Sequence, residues 1–187
     1  ASIDTIEFDD TVKRILWQIL SQFDYFIDDV EKNKYINLEE SLEIHKVVIK
    51  LINLSKRIIN KNNIFGKNSS KYAYNFLTGL LNISRAISYS YKYIKNNNSK
   101  LTEKEISLIK KTKEFYHHLL GAYQNQDITK IKSFLNEREA ISDESLEILK
   151  EKNPVIMHFF LDMYKEFSAI SNFVIILNTN KENKTEN

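Results

Sequence analysis

The sequence predicts an all-α protein, one domain folded as a helical bundle. Three observations carry this. The 187 residues include only three Gly and one Pro, whereas a sheet protein of this length needs many tight turns built from those residues. Apolar residues recur every three or four positions over long stretches, the period of a helix face turned toward a core. The stretches are separated by polar runs rich in Asn, such as Asn96–Ser99, which read as breaks.

The first helix is predicted from about Asp10 to Asn33. Val12, Leu16, Ile19, Phe23, Phe26 and Val30 follow a 4-3-4-3-4 spacing, and Ile15, Leu20 and Ile27 widen that stripe. Asp9 and Asp10 stand at its start, where negative charge complements the helix dipole. The second helix is expected to begin at Asn37 as N-cap, with Glu39 and Glu40 in its first turn and Lys56 and Lys61 toward its end. Its apolar face is Ile44, Val47, Val48, Leu51, Leu54 and Ile58. After a break at 60–70 containing Gly66, a third helix is expected over 70–95 with Ala73, Phe76, Leu80, Ile83, Ile87 and Ile94 inward.

Thr102 and Glu105 have the spacing of a capping box, so a fourth helix starts there and continues through Ile106, Ile109, Tyr116, Leu120 and Tyr123. Asp127 is placed to cap a fifth, with Ile128, Ile131 and Leu135 inward and a bend near Ser142 before Leu146 and Leu149. Asn153-Pro154 is the sharpest punctuation in the chain. Proline disfavours helix in the residue before it but suits the first helical position, so a sixth helix is expected from Pro154 to about Leu177. It would bury Ile156, Phe159, Phe160, Met163, Phe167, Ile170 and Val174.

Arg85-Ala86-Ile87-Ser88 in the third helix aligns with Ser168-Ala169-Ile170-Ser171 in the sixth. Together with the matching order of helices and breaks, this suggests two three-helix units, about 10–97 and 101–178, followed by a disordered polar tail at 179–187.

The charge balance is even, 27 basic against 25 acidic residues with a net charge of +2, which gives no strong pull toward nucleic acid or anionic lipid. With no Cys, disulfides and thiolate metal sites are excluded, and the chain fits a reducing cytoplasm. No stretch is long and apolar enough for a membrane span. The first ten residues carry four acidic side chains and lack the form of a signal peptide; a leader or domain upstream stays an open question. Neither a P-loop, a dinucleotide-binding glycine pattern nor a nucleophile elbow is present.

Several clusters have two readings. Asp24 and Asp28 have the spacing of a metal pair, but with Asp29 they read first as a solvated acidic stripe, because Phe23, Phe26 and Ile27 take the buried face. His117 and His118 point about 100° apart on a helix, so one is expected at the core edge and one in water. His45 and His158 read as surface or boundary residues. The acidic run Glu137, Glu139, Asp143, Glu144 and Glu147 is either a solvated face or a docking surface for a basic partner. The tyrosines of the third helix, among them Tyr89, Tyr91 and Tyr93, are either a core edge or a docking patch.

The chain resembles the PhoU family of phosphate-transport regulators along nearly its whole length. The residues that carry the resemblance are Ala122-Tyr123-Gln124-Asn125-Gln126-Asp127-Ile128, the segment Leu149 to Asn153-Pro154, and Phe167-Ser168-Ala169-Ile170-Ser171-Asn172. The last falls where the family carries its Leu-Glu-Arg-Ile-Gly-Asp signature. The resemblance implies two tandem three-helix bundles. It also implies a metal motif of two carboxylates four residues apart, and here the chain departs from the family. The corresponding positions are Ser168 and Asn172 in the sixth helix. In the third helix they are Arg85 and Tyr89, or Ser84 and Ser88 one residue earlier. None is a carboxylate, and hydroxyls, amides and guanidinium are poor ligands or none for a hard cation. The expectation is therefore a cytoplasmic, non-enzymatic adaptor without cofactor or metal, contacting a protein such as a phosphate-transporter ATPase or a sensor kinase. It would be peripheral to the membrane at most, with a homodimer left open. Tyr89, Tyr91, Tyr93, Glu137 and Glu144 are the candidate partner surface. The alternatives are a structural or surface interaction bundle of coat, assembly or adhesion type with no phosphate role, and a nucleic-acid regulator.

Overall fold

The computed structural model describes residues 3–125 and 146–185, without the side chains of 3, 67, 68, 168, 169 and 177–185. Five long helices make up nearly all of it: α1 (Ile3–Lys32), α2 (Leu38–Asn62), α3 (Gly66–Asn97), α4 (Glu103–Asn125) and α5 (Pro154–Thr185). The fold class is all-α, as the sequence predicts, and the described residues contain no strand. Most of the helix expected after Asp127 lies outside the described residues.

Asparagine ends the helices where glycine is scarce. Asn33, Asn63 and Asn98 all have positive φ, 51°, 45° and 49°, a region Asn tolerates better than other residues with a side chain. At Asn98 the Ser99 N–H donates to the Ile94 carbonyl at 3.1 Å and the Asn98 N–H to that of Lys95 at 3.4 Å, which closes the last turn of α3 in a Schellman arrangement. Lys34 and Asn33 do the same for Asp29 and Val30 at the end of α1.

Three helix bounds differ from expectation: α3 begins at Gly66, a turn before the expected residue 70. α1 begins at Ile3, a turn and more before Asp10. Nothing in Ile3–Asp9 breaks a helix, and Phe8 is buried with its ring 5.0 Å from that of Phe65. α5 continues to Thr185, so the tail expected to be disordered is helical over most of its length; it holds neither Gly nor Pro to stop it.

The helices pack around one continuous core. α2 lies antiparallel across α1 and α3, which run parallel to each other: Phe8 meets Phe65 and Phe26 meets Tyr91. α4 lies antiparallel to α1, with Tyr116 donating to the Leu16 carbonyl at 2.9 Å. α5 lies antiparallel to α3, where Phe65 and Phe76 both meet Phe173 and Tyr89 meets Phe159. α4 and α5 run parallel, joined by Thr112 and Tyr164 at 3.0 Å. Across the centre Phe26 stacks on Phe160 at 5.7 Å and Phe23 tilts against Tyr116 at 5.5 Å. All of Val12, Leu16, Ile19, Phe23, Phe26 and Val30 are buried, so the seam read from the sequence is the inner face of α1. α3 and α5 approach closely at Gly79, where an added Cβ would sit 3.0 Å from Ile170 Cγ1.

One end of the bundle is fastened by two buried carboxylates. Asp29 accepts the backbone N–H of Asn37 at 2.8 Å, its Nδ2 at 2.9 Å and the hydroxyl of Tyr91. Glu105 accepts the N–H of Asn153 at 2.7 Å, its Nδ2 at 2.8 Å and the N–H of Thr102 at 2.7 Å. Each carboxylate thus holds the Asn that stands one residue before a helix. Asn37 caps α2 by position only; its side chain is engaged by Asp29 and makes no cap bond. Asp29 is 1 % exposed, which corrects its reading as part of a solvated stripe. It falls on the inner seam Ile15, Ile19, Gln22, Phe26, Asp29, where burial is tolerated because all its bonds are satisfied.

Candidate functional site

α3 is the helix on which the candidate residues meet, and its two sides differ. On the side toward α1 and α2, Ser84 Oγ donates to Gln22 Oε1 at 2.6 Å. That uses the only hydroxyl proton, so His45 donates from Nδ1 to Ser84 Oγ, at 2.8 Å. Ser88 Oγ donates to the Ser84 carbonyl at 3.0 Å and accepts from Gln22 Nε2 at 3.3 Å, and the same amide donates to the Ser41 carbonyl at 3.0 Å. Burial, then the positive charges of Arg85 and Lys92, hold His45 below its ordinary pKa of 6.5. Ser84 and Ser88 are fully buried members of an internal knot that ties three helices together.

On the other side, α3 and α5 border an open groove of about 380 Å³. Tyr89 and Phe159 form its aromatic wall, ring centroids 6.0 Å apart. Met163 and Ala86 line its apolar part. Asn82 Nδ2 donates to Glu166 Oε1 at 2.8 Å, and Arg85 donates to Asn82 Oδ1 at 3.3 Å. Asp162 receives Lys165 Nζ at 2.6 Å and stands 3.3 Å from His158 Nε2. The groove therefore offers an apolar wall, a guanidinium resting on Asn82 and two carboxylates in its lining, a mixture suited to a polypeptide segment. A second groove, about 490 Å³ between α1 and α4, is lined by Asp24, Lys110 and Lys113; Lys113 pairs with Asp24 across it, and Lys110 pairs with Glu31 outside it.

Of the proposed docking tyrosines, Tyr89 is half-exposed in the α3–α5 groove, and Tyr93 is partly buried against the core. Tyr91 is wholly buried and cannot belong to a docking surface; its hydroxyl belongs to Asp29, and burial followed by that bond raises its pKa. The neighbouring positions differ because Tyr91 continues the inward register of Ser84 and Ile87, one hundred degrees or more from Tyr89 and Tyr93. Asn172 is exposed on α5. The Ser168 side chain, Glu137 and Glu144 lie outside the described residues. His117 and His118 are both exposed; the expected core-edge role goes instead to Phe115, Tyr116, Leu119 and Leu120, all buried.

Among the described residues, no three His, Asp or Glu side chains are grouped so as to hold a metal ion, and no helix is long and apolar enough to cross a membrane. The residues missed in the sequence are Gln22 and the groove partners Asn82, Phe159 and Glu166. Gln22 had a signal, being polar in a seam otherwise apolar; the others depend on which face of α5 meets α3. No family model, no curated protein and no solved structure matches the chain.

Proposed function

We propose that the chain is a regulatory adaptor of the PhoU kind, a cytoplasmic protein that acts through protein contacts and carries out no catalysis. The observation that carries this reading is the direction of the helices. α1 pairs antiparallel with α4, and α3 with α5, while α1 and α3 run parallel, as do α4 and α5. A duplicated up-down-up unit, packed on its copy about a twofold axis, has this pattern of directions. The two tandem three-helix units belong to the same proposal, as does loss of the cation site. Ser84 and Ser88 are committed to Gln22 and His45, which supports a motif converted to core. The partner-binding surface is the α3–α5 groove, with Tyr89 and Arg85 as its reading residues, and the partner is a transporter ATPase or sensor kinase.

The test is phosphate uptake in cells lacking the gene, together with binding of the purified chain to the phosphate-transporter ATPase of the same organism. Uptake that no longer responds to external phosphate, and binding weakened about tenfold or more by Tyr89→Ala, are the expected results. Unchanged uptake and no binding would sink the reading. They would favour the second one, a structural interaction bundle. Its support is the single core: Phe26 on Phe160 at 5.7 Å and Phe76 on Phe173 at 4.7 Å join the halves with ring contacts like the 5.0 Å of Phe8 and Phe65 within one of them.

A further inference from the structure

The outward face of α2 carries a stripe that none of the described residues covers. Glu40, Glu43, Val47, Lys50, Leu54, Arg57 and Lys61 are all exposed. Their spacing is 3-4-3-4-3-4, the seam with which one helix packs along another. Val47 and Leu54, 37 % and 40 % exposed, are unusual large apolar residues for an open helix face. The charges on either side of them are sorted: two acids toward the N-terminus, two cations toward the C-terminus. Glu43 pairs with Lys46. Among the described residues, no ion pair engages Glu40, Lys50, Arg57 or Lys61.

We propose that this stripe is a self-association surface, and that its occupant is α2 of a second copy of the chain, lying antiparallel about a twofold axis near Lys50 and Leu51. The argument is charge complementarity. An interface between identical copies must be self-complementary, each surface meeting its own reverse. Reversing this stripe sets Glu40 and Glu43 of one copy against Arg57 and Lys61 of the other, twice, and sets Val47 beside Leu54 at the centre. A parallel copy would set acid on acid and cation on cation. Lys50 lies near the axis, where its methylene stem covers the apolar centre while the ammonium reaches the rim. The stripe spans about 31 Å at 1.5 Å per residue. The inference stands apart from the proposed regulatory role, since it concerns α2 and not the α3–α5 groove.

The test is sedimentation of the full chain at low and high salt, with three exposed-face variants whose helicity is checked by circular dichroism. The monomer mass is 22.1 kDa; the wild type is expected near twice that at tens of micromolar, shifting toward monomer as salt screens the end charges. Leu54→Glu is expected to sediment as a monomer. E40K/E43K and R57E/K61E are each expected to be monomeric alone, because like charges then meet at both ends, yet to form a dimer when mixed in equal amounts. A monomeric wild type at low salt would overturn the proposal, as would a dimer indifferent to Leu54→Glu or a mixture of the two charge variants that stays monomeric.

Discussion

Asp29 and Glu105 do the same work at the same end of the bundle, and the difference between them is instructive. Each is a buried carboxylate that accepts the main-chain N–H and the Nδ2 of an Asn standing before a helix. Glu105 is announced locally: it lies three residues after Thr102, and the two exchange the bonds of a capping box, Thr102 N–H to Glu105 at 2.7 Å and Glu105 N–H to Thr102 Oγ1 at 3.3 Å. Its second role, receiving Asn153 from 48 residues away, is invisible in the sequence. Asp29 has no local motif, and its third donor, Tyr91, is 62 residues distant. What a buried carboxylate bonds to can be read from its neighbours in sequence only when one of its partners is such a neighbour.

Removing the acceptors separates the two most strongly. Asp29→Ala leaves the Asn37 N–H and amide without their acceptor and leaves the buried Tyr91 hydroxyl only the Tyr25 carbonyl at 3.2 Å, and is expected to lower stability by about 4 kcal/mol, measured by urea unfolding. Glu105→Ala is expected to cost about 3 kcal/mol by the same measurement, because the Asn153 Nδ2 keeps the Lys100 carbonyl at 3.0 Å and the N–H of the partly exposed Thr102 can turn to water. If the order were reversed, Glu105 and not Asp29 would be the principal fastening of this end.

Tyr91→Phe sharpens the comparison by removing only the donor peculiar to Asp29. A loss of about 1.5 kcal/mol is expected at neutral pH. The folded chain holds the Tyr91 proton more tightly than the unfolded chain does, so its contribution is present below the ordinary value of 10 and falls as pH rises past it. The variant should show a shallower alkaline loss than the wild type. A loss unchanged in slope would place the effect on Tyr116 and Tyr123, whose values burial also raises.

The smallest effect belongs to the internal knot beside Asp29. His45 is held below 6.5, so the unfolded chain binds its proton at a pH where the folded chain does not. Its contribution is complete above about 6.5 and is lost as pH falls through the folded value. Thermal unfolding of His45→Gln between pH 7 and pH 5 is expected to show a weaker acid dependence, a difference under about 1 kcal/mol given its only partly buried position. An identical pH profile would mean that His45 does not report on this knot.

The amphipathic period alone was enough for the all-α class, for the inner faces of α1 and α3, and for the starts at Thr102 and Pro154, because each depends on residues within one or two turns of one another. Even Gln22 and Asp29 can be found that way, as polar members of the seam Ile15, Ile19, Gln22, Phe26, Asp29. What they bond to depended on tertiary structure: Ser84 and Ser88 turned inward to Gln22, Tyr91 buried while Tyr89 stays open, α5 laid antiparallel on α3 so that Phe159 faces Tyr89. A helix repeats every 3.6 residues, so sequence spacing says which side chains share a face. It carries nothing about which other helix that face will meet, since apolar faces attract without direction and only the packing of all the helices together chooses among them.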